Sequence, residues 1–131
     1  MSWPRLERVL VVLIALHSVA VGLGLTLLVE WGARFGGFGE VHPTFFARQA
    51  GVFHFVVAFG YLYEFFRYRS IGLLLFAKSV AVVFLTLAFV LGQHAWLVPV
   101  SALGDGVMGV VAWWVHRRAA TESGATVPAR R

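Results

Sequence analysis

Apolar residues dominate four long blocks of the chain, residues 9–29, 44–63, 71–91 and 95–115, with short polar interruptions between them. A membrane-crossing helix needs about 20 predominantly apolar residues, so each block predicts one span. Inside the blocks the apolar positions run on continuously, whereas barrel strands would alternate apolar and polar positions over segments of about ten residues. The pattern therefore predicts an all-α, four-transmembrane-helix antiparallel bundle. Residues 1–118 would form this single membrane domain, and the polar run "AATESGATVPARR" at 119–131 is expected to be a disordered tail. No internal repeat and no second domain stand out.

Composition agrees with a lipid environment. The 131 residues are 60% hydrophobic and 13% charged, and the mean hydropathy is +0.81. The first apolar run follows Arg5 and Arg8 as a signal peptide would, but it is too long and lacks a small-x-small cleavage site, so it is kept as a helix. The net charge of +5 does not describe a phosphate-binding face, because the basic residues flank the spans; no nucleic-acid partner is expected. Cysteine is absent, which removes disulfide, thiolate-metal and thiol redox chemistry from this chain.

With four spans both termini share one side. That side carries Arg5, Arg8, Arg67, Arg69, Arg117, Arg118, Arg130 and Arg131, while the other has Arg34 and Arg48. The positive-inside rule makes the first side cytoplasmic, so both ends are expected inside the bacterial inner (plasma) membrane. The five tryptophans and three tyrosines fall near predicted span ends, at the depth where amphipathic rings settle. Between the first two spans, "EWGARFGGFGEVHPT" reads as a glycine- and aromatic-rich loop over the outer mouth, with Thr44 as the expected N-cap of the second span.

Ionisable residues inside the spans carry the candidate chemistry. A rise of about 1.5 Å per residue from the cytoplasmic side puts His17 at about 12 Å, His54 at about 13.5 Å, Lys78 at about 10.5 Å and Asp105 at about 15 Å. Four helices thus contribute to one layer. Small residues mark the expected packing faces: Ala20 and Gly24 beside His17, Ala47 and Gly51 beside His54, and Ser101, Ala102 and Gly109 beside Asp105. An outward charge would cost about 3 kcal/mol on the insertion scale, so all four are expected to face inward, with Lys78 or His54 or both as the partner of Asp105. The plainer alternatives are that Lys78 snorkels to the headgroups, that Asp105 is protonated and serves helix packing, and that the histidines hydrogen-bond between helices.

Two cofactor readings follow from the layer. His17 and His54, on antiparallel helices at similar depth, are candidate ligands of a haem b iron, and His, His, Asp is a weaker metal set. A buried His and Asp in an apolar wall also suit a quinone head group. Arg48, Gln49 and His94 belong to an outer polar rim, as solvated residues or as an entrance. On the cytoplasmic rim, Glu64 is expected to balance Arg67 and Arg69. No phosphate loop, nucleophile elbow or HExxH occurs, so no catalytic residue is assigned and any enzyme activity would need a partner subunit.

Laid out this way, "ARQAGVFHFVVAFGYLYEF" opening the second span, "LLFAKSVAVVF" in the third and "LGDGVMG" in the fourth, the chain resembles the DoxX-like group of small bacterial four-helix membrane proteins. The resemblance covers nearly the whole chain in layout. It implies a link to thiosulfate to quinone oxidoreductase and to membrane complexes that handle oxidative stress; the missing cysteines leave no thiol here for sulfur chemistry. The expected role is a small integral membrane subunit associated with an electron-transfer or quinone-linked oxidoreductase complex. The alternatives are a non-catalytic anchor or assembly subunit of a larger membrane complex, and a carrier of a small apolar solute; the expected partners are other membrane subunits or further copies of this chain in a homo-oligomer.

Overall fold

In the computed structural model, residues 2–125 are described, and they form five helices: α1 (Trp3–Leu27), α2 (Val29–Gly36), α3 (Phe45–Tyr68), α4 (Gly72–Val90) and α5 (Leu97–Ala125). There is no strand among the described residues. All but α2 are long and apolar enough to cross a membrane. Apolar side chains such as Leu13, Phe53, Phe84 and Leu103 stand exposed along these four helices, the arrangement a hydrocarbon solvent allows and water does not.

The helix ends follow local chemistry. Pro4 sits in the first turn of α1, where its missing N–H leaves nothing unpaired. At the other end of the loop, α3 begins directly after Thr44 as expected, although the threonine hydroxyl makes no capping hydrogen bond. Between α3 and α4, Glu64 reaches over the turn: its carboxylate accepts the Leu73 N–H at 2.8 Å and the Ser70 hydroxyl at 2.9 Å. A carboxylate at a helix N-terminus satisfies donors that the helix leaves open. The expected balance of Glu64 with Arg67 and Arg69 is thus replaced by a cap on α4.

Helix α1 packs between α3 and α5, α4 packs along α5, and α3 meets α4 chiefly near the turn that joins them. The packing face of α1 carries Glu7, Val11, Ile14, Ala15, Ser18 and Gly22, the i, i+3, i+4, i+7 spacing of one helical stripe. Its tightest approach is to α3, where a Cβ on Gly51 would lie 2.7 Å from the Gly22 carbonyl oxygen and one on Gly22 would lie 2.9 Å from that of Gly51. Two glycines therefore let the two backbones touch. The buried core, Val11, Ile14, Tyr61, Phe65, Ile71, Leu74 and Ala112, lies in the half of the bundle that holds the start of α1 and the end of α5.

Two expectations about the polar segments are corrected. Part of the loop after the first span is helix α2, whose Val29, Ala33 and Gly36 are buried while Glu30, Trp31, Arg34 and Phe35 face out. Gly37 ends it in the left-handed region at φ 84°, with Trp96 3.2 Å from where a Cβ would be; only glycine tolerates both conditions. The Trp96 indole N–H donates to the Phe35 carbonyl at 2.6 Å, which ties α2 to the start of α5. At the C-terminus, α5 continues through Ala125, so residues 119–125 of the expected disordered tail are helical; residues 126–131 lie outside the described residues. Ala119 is buried, and the Glu122 carboxylate accepts the Trp3 backbone N–H at 2.9 Å.

Candidate functional site

Asp105 lies on the packing stripe of α5, seven and ten residues before the buried Ala112 and Val115. Gly109, one turn further on, faces α4, where a Cβ would make an ordinary contact with the Lys78 Cβ at 3.5 Å. In that space the Lys78 ammonium donates to Asp105 Oδ1 at 2.5 Å, with the two side chains only 8% and 15% exposed. The aspartate inside "SALGDGVMG" is therefore one half of an ion pair. Lys78 does not snorkel. A carboxylate and an ammonium this far from water persist only because each neutralises the other, and removing either leaves a charge stranded in a low dielectric.

The pair is buried but not sealed. Lys78 and Asp105 line a chamber of about 470 Å³ together with Leu75, Ser79, Gly109 and Trp113. Through Val82, Gly106 and Val110 this chamber shares its wall with an apolar groove of about 610 Å³ between α4 and α5, whose far end is formed by Thr86, Phe89 and Pro99. Leu103, Val107 and Val110 on the rim of that groove are exposed. They belong to a membrane-crossing helix, so the groove opens toward the hydrocarbon.

The two histidines of the layer divide. His54 occupies the inward stripe of α3 with Gly51, Ala58 and Tyr61, as expected, but its partner is its own helix: Nδ1–H donates to the Ala50 carbonyl at 2.8 Å. Because a carbonyl only accepts, this bond places a proton on Nδ1 and leaves Nε2 as the acceptor nitrogen of the neutral ring. His17 corrects the expectation of an inward face. It is exposed on the flank of α1, as is Ala20, and a Cβ on Gly24 would meet nothing within 4 Å. The real stripe of α1 runs through Ala15, Ser18 and Gly22 instead. Even so, His17 stays within electrostatic reach of Lys78, Asp105 and His54. The two candidate haem ligands thus differ in setting, His54 part-buried on the inward stripe of α3 and His17 exposed on the flank of α1. Among the described residues, no group of three metal-ligating side chains comes together, so the His, His, Asp set is not assembled.

Sequence reasoning passed over four participants. Tyr61 is buried on the stripe of His54 and lies within electrostatic reach of Asp105. Trp113 lines the ion-pair chamber. Nearer the terminal end, Glu7 and His116 form a second pair, Nδ1 to Oε1 at 2.5 Å, which joins α1 to α5. The signal for Glu7 was its spacing of four, seven and eleven residues from Val11, Ile14 and Ser18. Starting the first span at residue 9 cut it off. Of the outer-rim residues, Arg48, Gln49 and His94 are all exposed, and His94 packs edge-on against Phe89 at 5.5 Å.

Comparison with protein-family models, with curated proteins and with solved structures finds no match for this chain.

Proposed function

We propose that this chain is a small multi-pass membrane subunit of the bacterial inner membrane that serves an electron-transfer or quinone-linked complex, with Lys78 and Asp105 as its working site. One observation carries the reading: a buried ion pair lines a hollow that adjoins, through Val82, Gly106 and Val110, an apolar groove open to lipid. Pockets for apolar ligands pair extended greasy walls with a few convergent polar groups. An isoprenoid tail fits the stretch from Val82 to Phe89, and a quinone carbonyl would accept a hydrogen bond from the Lys78 ammonium. Reduction of a quinone to the quinol takes two electrons and two protons. The electrons would come from a partner subunit, and this chain would supply position and protons, with Asp105, Tyr61 and His54 as the nearby exchangeable groups. The resemblance of the sequence layout to DoxX-like proteins is in keeping with the same proposal.

Trp113 provides the test, because it lines the chamber. A short-tailed quinone titrated into the detergent-purified chain should quench Trp113 fluorescence saturably, and the saturable part should vanish in Trp113→Phe. Replacing Lys78 by Met together with Asp105 by Leu, which strands no charge, should weaken binding about tenfold, the value of one hydrogen bond to a charged group. Quenching that is non-saturating and equal in all variants would overturn the reading and leave an anchor or assembly subunit.

A further inference from the structure

Formal charge is distributed unevenly between the two ends of the bundle. At the end holding α2 and the loops, two arginines, Arg34 and Arg48, are matched in number by Glu30 and Glu40, and Arg34 contacts Glu30 at 4.0 Å. At the opposite end, Arg5, Arg8, Arg67, Arg69, Arg117 and Arg118 are all exposed. Three carboxylates share that end, and each has another partner: Glu7 is held by His116, Glu64 by Ser70 and the start of α4, and Glu122 by the Trp3 N–H. No ion pair to any of the six arginines is formed among the described residues.

Aromatic rings hold four of these guanidiniums instead. Arg67 lies over Tyr68 at 5.7 Å, Arg69 over Phe65 at 5.6 Å, Arg117 over Trp113 at 5.1 Å and Arg118 over Trp114 at 5.6 Å. Stacking of this kind fixes the cation beside the ring while leaving its edge N–H donors open, and those donors match phosphate oxygens in a bidentate way. Tryptophan and tyrosine settle at headgroup depth, so the arginines stacked on them stand at the level of lipid phosphates.

We infer that this end of the bundle is a binding rim for anionic phospholipid headgroups. The rim recruits them from its own leaflet, and the opposite end does not. The inference is independent of what the ion pair at Lys78 and Asp105 binds.

The tryptophans allow each end to be read separately, since Trp3, Trp113 and Trp114 lie at the arginine end and Trp31 and Trp96 at the other. The full chain is reconstituted in phosphatidylcholine vesicles, and fluorescence quenching is measured as brominated phosphatidylglycerol or brominated phosphatidylcholine replaces the host lipid. With Trp31 and Trp96 changed to Phe, brominated phosphatidylglycerol should quench in preference to phosphatidylcholine, and salt should weaken that preference. In the chain retaining only Trp31 and Trp96, the two lipids should quench alike. Arg67→Gln with Arg69→Gln keeps the reporter tryptophans unstacked from the change and should lower the preference by up to about fivefold per arginine. Unchanged quenching by brominated phosphatidylcholine shows that the variant is folded and inserted. Equal quenching by both lipids at the arginine end would overturn the inference, as would a preference that survives removal of the arginines.

Discussion

At the residue scale, the pair of Lys78 and Asp105 makes an asymmetric prediction. Each side chain is largely removed from solvent, so truncating one partner strands the other charge, at a cost of about 3–5 kcal/mol in a buried setting. Asp105→Ala should therefore unfold at markedly lower denaturing-detergent fraction than the parent when helix loss is followed by circular dichroism. Lys78→Met combined with Asp105→Leu should recover most of the loss, because two apolar residues of similar volume need no counter-charge. An Asp105→Ala variant as stable as the parent would show that the pair holds nothing together. The sequence disclosed this pair in part: similar depth on two helices identified Lys78 and Asp105 as candidates, and the small residues around Asp105 gave its face. It misplaced His17, because Ala20 and Gly24 mark a close approach only where another helix arrives, and the neighbouring helix approaches at Gly22.

At the scale of elements, the chain's two glycine patterns separate what packing demands from what it merely permits. Gly22 and Gly51 meet backbone to backbone, so a methyl group at either has a carbonyl oxygen within 3 Å and no flexible side chain to yield alone. Gly51→Ala should push α3 from α1 and cost about 1–3 kcal/mol, the range for overpacking a filled contact. Gly24→Ala has open space around its Cβ and should be neutral or slightly stabilising through helix propensity. Detergent unfolding curves of the two single variants decide the matter, and equal stability would mean that the α1–α3 contact is looser than drawn. Glu64 gives a second case. Its removal by Glu64→Ala should cost about 0.5–2 kcal/mol, as loss of a helix cap does, while Arg67→Gln should cost little. Spacing alone could not reveal that role, because charge balance with Arg67 and a cap on the next helix both require an acid near the turn.

At the scale of the whole molecule, four apolar blocks were enough to foretell four membrane-length helices, since hydrocarbon thickness fixes their length and unpaired backbone groups exclude other forms. Less legible was how far they extend: α1 starts at Trp3 and α5 runs through Ala125, past the ends of the apolar blocks. Polar helix of this kind is stabilised by partners that hydropathy does not register, such as Glu7 with His116 and Glu122 with the Trp3 N–H. The same pairings bring the beginning of α1 and the end of α5 to one end of the bundle. Under the positive-inside rule, the arginine excess there predicts that this end faces the cytoplasm. The absence of native cysteine makes the assignment directly measurable, because any thiol introduced is the sole one. A membrane-impermeant maleimide added to spheroplasts should label Glu40→Cys, in the segment between α2 and α3, and should label Ala120→Cys only after the membrane is opened. The reverse order of labelling would invert the bundle, placing the guanidinium rim on the outer leaflet and the mouth beneath α2 on the inner one.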